Sequence, residues 1–358
     1  MPAELLGKSI EELRAYVELL GEAPYRAKQL YRAIYAERRF DFAAMTNLAA
    51  ALRARLSAEA SISLPRVVRR FSSADGSTRY LMAIGGGEER AGQIEAVFMP
   101  SEGRQTVCIS TQAGCAVDCH FCLTAQLGLI RNLTAGEIVG QVLVALAEQD
   151  KATLAPRTNV VLMGQGEPLL NFEPVLAAVR ILLDAEGMGI SPRHVTLSTS
   201  GIVPGIERLA KETVRPKLAI SLNASCDEQR DAVMPINRKY PLAALLDACR
   251  RYPLRTWESL TFEYVLLGGV NDAPEDARRV ARLIANLRAK VNLIPWNPGA
   301  LPYRAPEASR VEEFRRVLVE KGVPAFVRLS RGQDVFAACG QLALVEAPSA
   351  ALPVLPLH

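Results

Sequence analysis

The chain has 358 residues, of which 49% are hydrophobic, 22% charged and only 6% aromatic, which excludes disorder, collagen and coiled coil and leaves a globular protein with a large core. A single core seldom grows far beyond about 250 residues, so two units are expected. The 42 basic and 38 acidic groups give a net charge of +4, which permits a polyanionic partner without demanding one.

The chain opens on MPAELLGKSIEELRAYVELL. Its acidic residues and lack of an unbroken apolar run predict an amphipathic helix rather than an export signal. Apolar residues recur at helical spacing as far as residue 63: Leu13, Val17 and Leu20, then Leu30, Ile34 and Tyr35, then Leu48, Leu52 and Leu56. Residues 1–64 therefore read as a small helical accessory domain. Between Arg26 and Arg39 it carries Lys28, Arg32 and Arg38 interleaved with Tyr25, Tyr31 and Tyr35. Such a stretch is either a solvated face over packed tyrosines or a phosphate-facing surface.

Residues 65–104 change character. RYLMAI, the Gly85-Gly86-Gly87 turn and IEAVFMP predict a β-hairpin extension leading into the main domain. From 105 to 341 the runs VCIS, VVLMG, VTLSTS, KLAISLN, TFEYVLLG and VNLIPW alternate with helical segments, the pattern of parallel strands joined by crossover helices in an open sheet or a full or partial barrel. Chemistry in such folds gathers at the carboxyl ends of the strands, which here carry GCAVDCHFC, GQGEP, STSG, SLNAS and IPWNPG. Residues 342–358 read as a mobile tail. There is no internal repeat and no apolar stretch long enough to span a bilayer.

The seven cysteines are an odd number, and Cys115, Cys119 and Cys122 fall together. An odd set without an export signal fits a cytoplasmic chain whose clustered thiols serve metal or catalysis rather than disulfides. Thiolates suit zinc or an iron–sulfur cluster. A structural zinc site closes with four ligands, and neither a second CxxC pair nor an HxxxH pair exists to complete one. Three cysteines without a fourth fit a [4Fe–4S] cluster with one open iron.

C-x3-C-x2-C after the first strand of an α/β barrel resembles the signature of the radical S-adenosylmethionine superfamily. VCISTQAGCAVDCHFC, RNLT, MGQGEPLLN, LSTSG, SLNA, PIN, LIPWNP and RGQDVFAACGQL, with LGEAPYRAKQLYRAIY in the accessory domain, closely resemble the RlmN family, which methylates C2 of adenine in 23S rRNA and tRNA. The resemblance covers the chain except its tail. It implies an α/β fold, a radical SAM partial (β/α) barrel with an N-terminal helical accessory domain.

The resemblance also implies roles, residue by residue. Cys115, Cys119 and Cys122 would hold the cluster, and Gly166, Glu167, Ser198, Ser221, Leu222, Asn223 and Asn297 would contact S-adenosylmethionine. Asn223 stands where many relatives have His. Adenine C2, between two ring nitrogens, is too electron-poor for polar methyl transfer, so the family works through a protein thiol. Cys339 would accept a methyl group by displacement, and the methylthio carbon, after losing hydrogen, would bond to C2. Cys108 would then attack the sulfur of Cys339, releasing product and leaving a disulfide, while Glu95 handles the C2 proton. Cys226 and Cys249 have no motif around them and read as structural.

Implied partners are 23S rRNA and tRNA and an electron donor of flavodoxin type, with no membrane and a monomeric chain. Phosphate contacts are expected from the accessory-domain patch and from Arg66, Arg69, Arg70 and Arg79. The sister family Cfr, which methylates C8 by the same cysteine logic, and a zinc-stabilised RNA-binding protein without catalysis are the alternatives.

Overall fold

The computed structural model describes residues 2–85 and 92–344, so Gly86 and Gly87 of the expected turn and residues 345–358 of the expected tail lie outside it. The accessory domain is helical as expected. After a short strand β1 (Ala3–Glu4) come α1 (Ile10–Leu19), α2 (Tyr25–Tyr35) and α3 (Ala50–Glu59), and β2 (Ala60–Ser61) pairs in parallel with β1. Ser9 starts α1 with a reciprocal cap, its Oγ accepting from Glu12 N–H at 3.2 Å while Ser9 N–H donates to the Glu12 carboxylate at 2.7 Å. Leu13, Val17, Leu30, Ile34 and Leu56 are buried in the core.

Three antiparallel strands follow, β3 (Arg66–Ser72), β4 (Thr78–Ala83) and β5 (Gln93–Ser101), and β5 pairs with β6 (Arg104–Ile109). The hairpin of β4 and β5 was legible; β3, whose RVVRRFS has little alternation, was not. A small ribbon of β7 (Gln112–Gly114) and β8 (Leu129–Asn132) frames the cysteine loop and leads into α4 (Ala135–Ala147). Then strands and helices alternate: β9 (Thr158–Leu162), α5 (Phe172–Leu183), β10 (Val195–Thr199), α6 (Val203–Leu209), β11 (Lys217–Ser221), α7 (Asp227–Val233), α8 (Leu242–Arg251), β12 (Leu260–Leu266), α9 (Pro274–Leu283), β13 (Ala289–Pro295), α10 (Ala308–Glu320) and β14 (Ala325–Val327).

All strands from β3 to β6 and from β9 to β14 belong to one ten-stranded sheet, parallel from β6 through β9 to β14. Its edges, β3 and β14, do not pair with each other, so the barrel is partial. The antiparallel extension is thus a continuation of the parallel sheet. Burial along the parallel strands alternates with period two. Val107, Val160, Leu162, Val195, Leu197 and Leu218 are sealed in the core shared with the helices, whereas Thr106, Cys108, Asn159, Thr196, Ser198 and Ser221 are only half-buried and line a hollow interior.

The accessory domain is docked tightly on α4. A Cβ on Gly136 would lie 2.6 Å from the Leu6 carbonyl oxygen, so only glycine permits this approach. At the other end of the chain the segment after β14 crosses back over the gap in the barrel, where Val335, Ala337 and Leu342 pack with Phe71 and Val97. Leu342, Ala343 and Leu344, placed with the tail by composition, are buried, because this segment covers the open side of the sheet. Among the described residues no helix is long and apolar enough to cross a membrane.

Candidate active site

The loop after β7 turns sharply, with Cys115 N–H donating to the Gly128 carbonyl at 2.9 Å and Cys122 N–H to the Cys119 carbonyl at 3.0 Å. His120 is engaged with the Ala232 carbonyl through Nδ1 at 2.8 Å, so it anchors the loop. Cys115, Cys119 and Cys122 line one cavity of about 160 Å³. Burial pushes the Cys115 thiol up to about 12 and Cys119 well above its ordinary value, and the neighbouring cysteines add to both. Thiols of this kind, held protonated by burial and by one another, as Cys115 and Cys119 are, ionise when a cationic centre binds them. A single zinc ion would draw thiolates to about 3.8 Å of one another. Among the described residues no three such groups are gathered for a lone ion, and thiols spread around one cavity fit the larger iron–sulfur cluster.

The same cavity is walled by Gly166, Glu167, Ser198, Ser221, Asn223 and Asn297, six of the seven expected cofactor contacts; Leu222 is fully buried and lines neither this cavity nor the larger one below. Gly166 has φ +99°, and a Cβ there would lie 2.6 Å from Gln112 Cβ. Its glycine is needed for packing against β7 as well as for any close approach of a ligand. Glu167 accepts from Ser200 N–H at 2.6 Å, Thr199 Oγ1 at 2.8 Å and Leu169 N–H at 3.0 Å; burial raises its pKa against those donors. Asn223 adopts φ +55°, which Asn tolerates better than most residues, and its Oδ1 accepts from Val265 N–H at 2.8 Å. Arg230, fully buried, binds the carbonyls of Ser200 at 2.6 Å and of Ser221 and Leu222 at 3.1 Å, tying together the ends of β10 and β11.

A second cavity of about 620 Å³ occupies the barrel interior and shares Cys122, Thr124, Met163, Glu263 and Cys339 with the first, so the two adjoin. Cys108, on the lumen face of β6, and Cys339 both line it, and both are free thiols. Cys339 is reached by solvent through the cavity yet walled in by protein, and that enclosure, then Glu263, pushes its pKa up to about 11. Burial likewise raises Cys108, and Cys339 is its next cause. Asn297 Nδ2 donates to the Cys339 carbonyl at 3.1 Å, so one side chain lines the smaller cavity and holds the segment that carries Cys339. Glu263 accepts from Ser198 Oγ at 3.0 Å and, among the described residues, is the one carboxylate lining the larger cavity.

Cations dominate that cavity: Arg104, Arg157, Arg193, Lys217, Arg328 and Arg331. Most belong to the amino ends of the parallel strands. His194 reports the resulting field, its pKa lowered by burial and then by Arg157, Lys217 and Arg193. Spacing along the chain did not reveal this group, because Arg104, Arg157, Arg193 and Lys217 each stand alone before or at the start of a different strand, and Arg328 and Arg331 follow β14. Polar residues inside otherwise apolar runs, Lys217 in KLAISLN and Glu263 in TFEYVLLG, were the available signal.

Glu95 is on the same sheet face but lines neither cavity. It is fully buried, ion-paired with Arg79, and accepts from Leu344 N–H at 3.0 Å. Arg79, expected to face phosphate, is therefore corrected to an interior residue. Arg70 pairs with Glu148 at 2.5 Å. In the accessory patch, Lys28 and Arg32 both pair with Glu186, Arg39 pairs with Glu37, and Tyr31 and Tyr35 are buried. That patch is largely the solvated face over packed tyrosines. Cys249 is core, and Cys226 is a half-buried residue at the start of α7.

An open parallel barrel with three thiols in the loop after its first parallel strand, opposite glycine-rich strand ends, defines a radical S-adenosylmethionine protein. Residues 109–284 match the model of that superfamily, and residues 3–62 match the ribosomal RNA large subunit methyltransferase N-terminal domain. The chain is 47% identical to a probable dual-specificity RNA methyltransferase RlmN of Koribacter versatilis, covering 92% of this chain and 99% of that one. It is 48% identical to an RlmN of Anaeromyxobacter dehalogenans, covering 94% and 91%. A crystal structure of a radical SAM methyltransferase from Sphaerobacter thermophilus superposes with a TM-score of 0.88 at 44% identity, covering 95% of this chain and 99% of that one. The chain belongs to the RlmN family, and that membership brings S-adenosylmethionine and a [4Fe–4S] cluster as cofactors.

Proposed function

We propose that this enzyme methylates C2 of adenine in 23S rRNA and tRNA, with Cys339 as the methyl carrier and Cys108 as the resolving thiol. The observation that carries this reading is the meeting of Cys108 and Cys339 in one cavity that adjoins the pocket of the three cluster cysteines. Cys115, Cys119 and Cys122 would hold the cluster, which when bound supplies the electron for radical cleavage of S-adenosylmethionine. Gly166, Glu167, Ser198, Ser221, Asn223 and Asn297 wall the cofactor, and Leu222 contributes by fixing the backbone of β11. Cys339, deprotonated, takes a methyl group by displacement. Its methylthio carbon, after giving a hydrogen atom to the radical derived from the cofactor, bonds to C2; the adduct returns one electron to the cluster and loses the C2 proton, and the Cys108 thiolate then attacks the sulfur of Cys339, breaking its bond to the methylene carbon, which takes up a proton to become the product methyl group as the disulfide forms. Glu95 is the acid/base for the C2 proton, a role that requires the segment covering it to lift.

The target base must leave its stack to reach Cys339. The wide cationic cavity is the route the charges favour, with Arg104, Arg157, Lys217 and Arg328 meeting the flanking phosphates. Among the described residues none of these four makes an ion pair. We place the enzyme in the cytoplasm as a monomer served by a flavodoxin-type electron donor. Anaerobic protein should be brown with iron and sulfide, and nuclease-digested RNA from the reaction should contain 2-methyladenosine. Appearance of 8-methyladenosine would assign it to C8 chemistry, and a Cys339→Ala variant that still methylated C2 would refute the relay.

A further inference from the structure

The segment that carries Cys339 has little regular structure of its own, a single short 3-10 turn at Gln333–Val335, so its placement depends on tethers from elsewhere. Two of them come from one buried ion pair. Arg79 on β4 and Glu95 on β5 are both fully buried and paired with each other. Arg79 Nε donates to the Val335 carbonyl at 2.7 Å, and Glu95 accepts from Leu344 N–H at 3.0 Å. Cys339 lies between those two anchor points. The Arg79 guanidinium also stacks at 4.0 Å on Phe71, whose neighbours include Val335, Ala337 and Leu342.

A buried ion pair gains little stability over an apolar pair of similar volume, because desolvation consumes most of the attraction. This pair spends donors and acceptors on the main chain of the segment, which an apolar pair could not do. We propose that Arg79 and Glu95 are positioning residues, a clamp on both flanks of the Cys339 segment that presents the thiol at the junction of the two cavities. This rests on Cys339 being the methyl acceptor. The clamp also accounts for the absence of Glu95 from the cavity: its carboxylate is occupied while the segment is seated, so seating and acid/base action belong to two positions of the segment.

The test uses reconstituted holoenzyme and two readouts, hydrogen exchange of residues 332–344 and the rate at which Cys339 gains a methyl group from S-adenosylmethionine without RNA, read by peptide mass. Exchange requires no activity, so it remains informative even if Cys339 is not the acceptor. In Arg79→Met, exchange of the segment should rise at least about tenfold and S-methylation should slow by up to about a hundredfold, the cost of a small misplacement of a reacting group. In Glu95→Gln, which keeps an acceptor for Leu344 N–H, the Leu344 amide should stay protected. The double variant Arg79→Met/Glu95→Leu leaves no unpaired buried charge and so guards against simple misfolding; it should fold, with the segment loosened and S-methylation slowed. A double variant with wild-type exchange over 332–344, or with loosened exchange but wild-type S-methylation, overturns the proposal.

Discussion

Replacing Arg230 by Met would remove one side chain that satisfies four acceptors: the carbonyls of Ser200, Ser221 and Leu222 and Asn237 Oδ1, at 2.6 to 3.1 Å. Each buried acceptor left without a donor costs about 1 kcal/mol or more, and losing one member of a buried charged network costs about 3–5 kcal/mol. Against a total stability of about 5–15 kcal/mol the variant should fold while its urea midpoint falls. The freed carbonyls end β10 and β11, beside the proposed cofactor contacts Ser198, Ser221 and Asn223, so affinity for S-adenosylmethionine should weaken by about 10-fold or more. Arg230→Lys, a point charge without the guanidinium fork, should recover about half of the stability. Equilibrium dialysis and urea titration under anaerobic conditions measure both. A Met variant within about 1 kcal/mol of wild type and with unchanged cofactor affinity would refute the view that Arg230 holds the two strand ends together.

Gly166→Ala adds a methyl group 2.6 Å from Gln112 Cβ at φ +99°, so strain and overlap together should cost about 2–5 kcal/mol, visible as a lower thermal midpoint even without cofactor. Arg131 binds Glu137 through two hydrogen bonds at 2.7 and 2.8 Å. Burial opposes ionisation of Glu137, but Arg131 and the cap at Thr134 win and hold its pKa below the ordinary 4.5. The Arg131→Met penalty, about 1 kcal/mol, should therefore be full at neutral pH and shrink as pH falls below 4.5 through the lowered value, as acid titration of the two proteins would show. Arg157→Ser/Arg328→Ser should weaken RNA binding and flatten its dependence on salt by about one to two in log–log slope, whereas Arg38→Ser/Arg39→Ser in the accessory domain should change the slope little.

What was legible in the sequence was what repeats or clusters along the chain. Helical spacing of Leu13, Val17, Leu30 and Ile34 located the accessory domain, and the six β-rich runs became β6 and β9 to β13 because buried parallel strands read as nearly continuous apolar runs. The C-x3-C-x2-C spacing marked the thiol loop directly. What is assembled only in three dimensions was not legible. The cations at the amino ends of the strands come from separate connectors, and their convergence depends on closing the sheet around a hollow centre. Arg79 looked like one more surface cation in a basic stretch, but the antiparallel register turns it onto the lumen face, opposite Val97 and beneath the C-terminal segment. The same covering segment explains why a composition typical of tails continues as buried structure through Leu344.

Cofactor carrying a trideuterated methyl group gives the most direct measurement of the central claim. If the methyl group rests on Cys339 and loses one hydrogen before bonding to adenine, the product isolated from RNA should be 2-methyladenosine whose methyl group keeps two deuterium atoms, and the Cys339 peptide should carry the label before RNA is added. A product methyl group retaining all three deuterium atoms, or full turnover with an unlabelled Cys339, would contradict the relay.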